Sequence, residues 1–195
     1  MLASSAYATP TKPVILVLGD SLSAAYGIEQ KAGWVNLLQE RLGKLNYPHR
    51  VINASISGDT TSGALSRVRR ALDMHQSNIV IIELGGNDGL RGLPLNQTKN
   101  NLSAIIEQCL HHKAHVLLTG IRLPPNYGPS YTKRFHDIYV SLADKYHVAL
   151  LPFILEGVAE KPELMQDDGI HPRAVGQIKV LDNVWAVLQP MLAKK

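Results

Sequence analysis

The chain of 195 residues has a single cysteine, Cys109, so no disulfide can form within it. Cys109 falls in the helical spacing Ile105, Ile106, Cys109, Leu110 and reads as a small core residue. No Cys/His cluster has the spacing of a zinc site. His111, His112 and His115 are near one another, but neighbouring helical positions face different ways, so they read as surface residues near a helix end. No apolar run is long enough to span a bilayer, and stable membrane insertion is not expected. Strong charge of one sign is also missing. The formal net charge is +4, and the Lys and Arg residues are scattered. The densest basic spot, Arg67, Arg69 and Arg70, lies in a helical stretch and reads as a solvated helix face, so no nucleic-acid partner is expected. The G-x-S-x-G elbow of the α/β-hydrolases does not occur.

What is there is an ordinary globular composition, 45% hydrophobic and 18% charged, at the length of one domain with a full core. The reading is one domain over residues 13–195. Residues 1–12 read as a signal-peptide remnant or disordered N-terminal segment. Met1 to Ala8 is small and apolar and ends in Ala6-Tyr7-Ala8, an A-x-A-like cleavage pattern, which points to a periplasmic or secreted protein.

Short β-branched runs at Val14–Leu18, Arg50–Asn53, Ile79–Leu84, Val116–Thr119 and Val148–Leu151 alternate with helical periodicities. The helical faces are Trp34, Leu37, Leu38, Leu42 and Leu45; then Leu102, Ile105, Ile106 and Cys109; and last Ile178, Leu181, Trp185, Leu188 and Leu192. Strands alternating with helices imply a parallel sheet with right-handed crossovers. Ile79–Ile82 is apolar at every position, as a strand covered on both faces should be. The fold class is therefore α/β, a flavodoxin-like three-layer sandwich of about five parallel strands. Ligands in such sheets bind at the carboxyl ends of the strands. Gly19-Asp20-Ser21 follows the first run, Ser55–Thr60 the second and Gly85–Asp88 the third.

Ser21 at that edge is a candidate nucleophile, against the commoner reading of a turn or N-cap serine. A hydroxyl needs a base, and Asp168-Gly169-Ile170-His171-Pro172 supplies one. Pro172 suits a first helical turn and places His171 at a helix mouth, where the dipole favours a neutral imidazole. Asp168, three residues earlier, can bind one ring nitrogen and set the tautomer. Alternatively, Asp167 and Asp168 cap the helix. Oxyanion donors are at hand in the N–H of Ser21, the N–H of Gly58 and the side-chain amide of Asn87, although Gly and Asn are also default turn residues.

These segments resemble the SGNH (GDSL-type) hydrolases. Gly19-Asp20-Ser21-Leu22-Ser23 is similar to their block I, Ser57-Gly58-Asp59-Thr60 to block II, Gly85-Gly86-Asn87-Asp88 to block III and Asp168-Gly169-Ile170-His171 to block V. Asn53–Thr60, Glu83–Leu93, Ile121–Gly128 and Met165–Pro172 resemble the bacterial thioesterase I / lysophospholipase / arylesterase group in detail. Thr61-Ser62-Gly63-Ala64 is less characteristic; it is not expected to touch the chemistry but to bear on the rim of the site. The resemblance implies a catalytic triad of Ser21, Asp168 and His171. It implies an oxyanion hole of Ser21, Gly58 and Asn87, and no metal or cofactor. The substrates implied are small acyl esters, thioesters and lysophospholipids. It also implies an acyl-binding loop over Gly89–Pro94, with Leu90 and Leu93, and a second wall over Leu123–Tyr127, with Pro124 and Tyr127. A monomer is favoured. Two other readings stand beside it: a metal-assisted phosphohydrolase built on Asp20, Asp59, Asp88, Asp167 and Asp168, and a non-catalytic domain that binds acyl ligands.

Overall fold

A computed structural model describes residues 12–192. All but Lys12 of the N-terminal segment discussed above lies outside the described residues. Five strands, β1 (Val14–Gly19), β2 (Arg50–Asn53), β3 (Ile79–Glu83), β4 (His115–Thr119) and β5 (Ala149–Leu151), form one sheet. The order is β2-β1-β3-β4-β5, and every pairing is parallel. This is the flavodoxin-like order, whose switch point lies between β1 and β3. Each expected strand is present, with ends shifted by one residue at most.

The period-two alternation of the central strands divides the core between two faces. Ile15, Val17, Ile79 and Ile81 pack with helices α1 (Trp34–Lys44) and α6 (Gln177–Leu188). Leu16, Leu18, Val80 and Ile82 pack with α2 (Thr61–His75), α4 (Leu95–His111) and α5 (Pro129–Tyr146). A short helix, α3 (Gly86–Leu90), follows β3. Trp34, fully buried at the start of α1, donates its backbone N–H to Gln177 Oε1 at 3.0 Å, fastening α1 to α6.

Cys109 is a buried core residue, as its spacing indicates. The last helix turns by one position from the expected face. Val180, Leu181, Val184 and Leu188 are buried, Ile178 is exposed and Trp185 is half-buried. Apolar residues wrap around most of this helix, and two stripes sharing Leu181 and Leu188 fit the same period. Leu45 ends α1 as an exposed cap residue rather than a core residue. His112, at the end of α4, is tied by its ring to Asp73 of α2 at 2.9 Å and to the Gln108 carbonyl at 2.8 Å.

Candidate active site

The loops after β1, β2 and β3 meet the loop before α6 at the carboxyl edge of the sheet. Ser21 sits in the turn leaving β1. No helix starts there, since α1 begins only at Trp34, so Ser21 is neither an N-cap nor set against a helix dipole. Its Oγ lies 2.8 Å from His171 Nε2. His171 Nδ1 lies 2.7 Å from Asp168 Oδ2. The other Asp168 oxygen, Oδ1, accepts the backbone N–H groups of Ile170 (2.9 Å) and His171 (3.0 Å). Partial burial works to raise the Asp168 pKa. The His171 N–H and ring and the Ile170 N–H outweigh it and hold the carboxyl below its usual range. The group therefore contributes stability above its ordinary pKa, and that contribution is lost as pH falls through the lower folded value.

His171 is not at a helix mouth. Pro172 pairs with Met165 in an antiparallel bridge, a 3-10 turn over Ala174–Gly176 intervenes, and α6 starts at Gln177. A helix dipole fades within its first turn, so local hydrogen bonds orient this imidazole instead. The Tyr26 ring lies against it, centroids 4.5 Å apart. Gln166 ties the two halves of the site together. Its N–H donates to the His171 carbonyl at 2.8 Å, and its side-chain amide donates to Tyr26 O at 2.8 Å and Pro172 O at 3.1 Å. Neither residue stands out in the sequence, because a lone Gln or Tyr carries no spacing signal.

On the opposite side, Asn87 Nδ2 donates to Asp59 O at 2.9 Å and to Asp20 Oδ2 at 3.1 Å. Gly58, exposed, holds φ +79°, a region that glycine enters without strain, and its carbonyl accepts Arg91 Nη2 at 3.0 Å. Beneath these loops lies Arg67, which is not on a solvated face as its helical position suggested. Its Nε and Nη2 clamp Asp59 Oδ2 at 2.9 and 2.7 Å, and it also reaches the carbonyls of Ala54 and Gly19. Arg69 and Arg70 do face solvent. A Cβ on Gly63 would lie 2.0 Å from Asp59 Oδ1, so this glycine makes room for the ion pair. Thr61 gives both its N–H and its hydroxyl to the buried Asp88. The Thr61–Ala64 segment therefore braces the loops around the site without reaching Ser21 or His171. Arg67→Leu should destabilise the fold by about 3 kcal/mol in urea unfolding, the low end for a broken buried pair because the arginine keeps some solvent contact.

Asp20 and Glu83 are buried side by side. Desolvation raises Asp20 to about 6, against donation from the Leu22 N–H, the His171 charge and the Asn87 amide. Desolvation, and then the Asp20 charge, pushes Glu83 well above its ordinary value. A raised carboxyl costs stability on ionising, so Asp20 costs progressively more as pH rises from 3.8 through about 6.

A cavity of about 510 Å³ opens at Ser21, Asn87 and His171. Leu90 and Pro124 line it. Leu93 and Tyr127 do not; Tyr127 instead donates its hydroxyl to Leu90 O at 2.9 Å and pins that loop. Leu123, at the start of the expected second wall, lines the cavity too, and Ile121, Phe153, Leu155 and Met165 add apolar wall that the sequence reading gave no binding role. Ile121 and Phe153 follow β4 and β5, so the strand-end rule would have found them. The aspartates of the metal reading go separate ways. Asp59 pairs with Arg67, Asp88 with Thr61, Asp167 with Arg173 and Asp168 with His171. Among the described residues no three His, Cys, Asp or Glu side chains converge as a metal site, and no helix is long and apolar enough to cross a membrane.

A serine–histidine–aspartate hydrogen-bond chain beside a side-chain amide, at the carboxyl edge of a flavodoxin-like sheet, is an arrangement that serine hydrolases use. The chain belongs to the GDSL-like Lipase/Acylhydrolase family, whose model matches residues 17–177. It is 49% identical over 178 residues to the esterase TesA of Pseudomonas aeruginosa, spanning 91% of this chain and 89% of that one. It is 46% identical to the thioesterase 1/protease 1/lysophospholipase L1 of Escherichia coli, spanning 91% and 84%. A solved crystal structure of TesA superposes with a TM-score of 0.90 at 49% identity, covering 92% of this chain and 99% of that one. The protein is an esterase and thioesterase of the SGNH type.

Proposed function

We propose that Ser21 takes the acyl group in a two-step hydrolysis of carboxylic esters and acyl thioesters. The observation that carries this is the unbroken hydrogen-bond chain from Asp168 through His171 to Ser21 Oγ at the mouth of an apolar cavity. His171 Nε2 accepts the Ser21 proton as Oγ attacks the acyl carbon, and Asp168 holds Nδ1–H and supports the cation. The oxyanion settles on the N–H groups of Ser21 and Gly58 and on the Asn87 amide, drawing that amide from the Asp59 carbonyl, which is the weaker acceptor. His171 then protonates the leaving alcohol or thiol. Water repeats the steps on the acyl-enzyme and releases the acid.

The cavity takes the acyl chain, since its wall is apolar and such pockets hold ligands by buried surface. The experiment is hydrolysis of p-nitrophenyl esters from acetate upward, with mass spectrometry of the protein trapped during turnover. An acyl adduct on Ser21 is the expected result; steady turnover with no adduct on Ser21 in a rapid quench would count against the proposal. Leu155 lines the cavity, and Leu155→Trp narrows it. We expect kcat/KM for long-chain esters to fall about tenfold or more while the acetate ester is spared, within the range that a few methylenes in a pocket supply. The Ala6-Tyr7-Ala8 pattern supports export from the cytoplasm, tested by sequencing the N-terminus of the protein recovered from the cells that make it.

A further inference from the structure

Two buried acids sit directly behind the amide of Asn87. Asp20 is 2% exposed and Glu83 fully buried. They occupy the ends of adjacent strands, where Gly19 is the register partner of Glu83. Glu83 Oε2 accepts the Asp20 N–H at 3.3 Å and the Ser23 hydroxyl at 2.7 Å. Glu83 Oε1 has no hydrogen-bond partner. An ionised oxygen left bare in a dry interior is costly, whereas a protonated one becomes a donor. The candidate acceptor is the Asp20 carboxylate, on the residue whose backbone N–H already bonds Glu83 Oε2 at 3.3 Å and whose charge acts on Glu83. Asp20 also accepts the Leu22 N–H on Oδ1 at 3.1 Å and the Asn87 amide on Oδ2 at 3.1 Å.

We infer that Asp20 and Glu83 form one positioning unit, in which Glu83 is a neutral acid that donates its proton to the Asp20 carboxylate, and Asp20 aims the Asn87 amide at the oxyanion. This rests on the reading of Asn87 as an oxyanion donor. Two carboxyl groups on adjacent strand ends in a dry interior do not both ionise at neutral pH, so one proton stays with the pair. Asp20 is the ionised partner because each of its oxygens already accepts a donor, from the Leu22 N–H and the Asn87 amide, whereas Glu83 Oε1 accepts none and Glu83 is more deeply buried. The other titratable groups around the pair fit this division. Tyr139 of α5 keeps its hydroxyl proton and gives it to Leu84 O at 2.9 Å. Asp88 of α3 is occupied by the Thr61 N–H and hydroxyl. A proton on His171 favours the ionised form of Asp20, and Arg67 is engaged by Asp59 and makes no hydrogen bond to either acid, its nearest approach on this side being the Gly19 carbonyl at 3.5 Å. The unit is a set of positioning residues, since Glu83 touches no reacting atom.

The test has two readouts. In infrared difference spectra at pH 8, wild type minus Glu83→Gln should show the carbonyl band of a protonated carboxyl group, and the band should persist in Ser21→Ala, which does not turn over. Absence of that band overturns the inference. In kinetics, Glu83→Leu should lower kcat about a hundredfold with KM little changed, the scale of a misaimed oxyanion donor. Glu83→Gln should recover most of that loss, because its amide donates to Asp20 while its carbonyl accepts from Asp20 N–H and Ser23. A Glu83→Gln variant as impaired as Glu83→Leu would mean that an ionised Glu83 is needed, and would also overturn it. If Glu83→Leu does not fold, the infrared band and the Gln variant against wild type still decide. Should Ser21→Ala prove active, the catalytic reading fails while the band still reports the shared proton.

Discussion

Ser21→Ala should lower kcat for a p-nitrophenyl ester about 10⁴-fold or more, with KM and thermal stability close to wild type. The size follows from what remains. His171 and Asp168 keep their contact, but Nε2 has no hydroxyl to activate and no acyl-enzyme can form. The residual rate comes from binding and from the oxyanion donors acting on water. The stability expectation follows from the site: Ser21 lies in a turn, caps no helix, and its Oγ bonds to His171 Nε2. A stopped assay with burst analysis measures both terms. An alanine variant of near wild-type activity would remove Ser21 from the mechanism and reopen the aspartates as the reactive groups.

The second large effect is expected for Asp168→Asn, a change of one atom with a loss of about 10⁴-fold in kcat near neutral pH. Asp168 Oδ1 accepts two backbone N–H groups, from Ile170 and His171, and only a carbonyl oxygen can stay there. An asparagine must therefore turn its NH₂ toward His171 Nδ1. Nδ1 then becomes an acceptor, the ring proton moves to Nε2, and Nε2 can no longer take the proton of Ser21. Asp168→Ala leaves the tautomer open and should be less impaired than the asparagine variant. The reverse order would show that the carboxylate acts by charge rather than by fixing the tautomer. ¹⁵N NMR of the imidazole reads the tautomer directly.

Much of this was legible in the sequence because strands and strand-end loops carry local signals. The apolar runs at Val14, Ile79 and Val116 mark the central strands within a residue, and the segments after β1 and β3 bring Asp20, Ser21 and Asn87 to the cavity. What stayed hidden depends on tertiary geometry. The last helix is apolar on more than one face, so only its packing against α1 and the sheet chooses between the stripes. Arg67 reads as one more helical arginine until the loop after β2 brings Asp59 to it. Gln166 and Tyr26 are 140 residues apart in the chain and share no pattern. The helix-mouth account of His171 failed because Pro172 is as compatible with a bridge as with a first helical turn.

The clasp between Trp34 and Gln177 also orders events in time. Ser21 leaves the ribosome well before His171, which follows 150 residues later. The sheet can form while the nascent chain is still without its base, and a partly made chain is chemically silent. Hydrolytic competence should therefore arrive only when the final helix docks on the first. In a refolding experiment, the onset of ester turnover would clock that last docking step, lagging behind the signal of sheet formation.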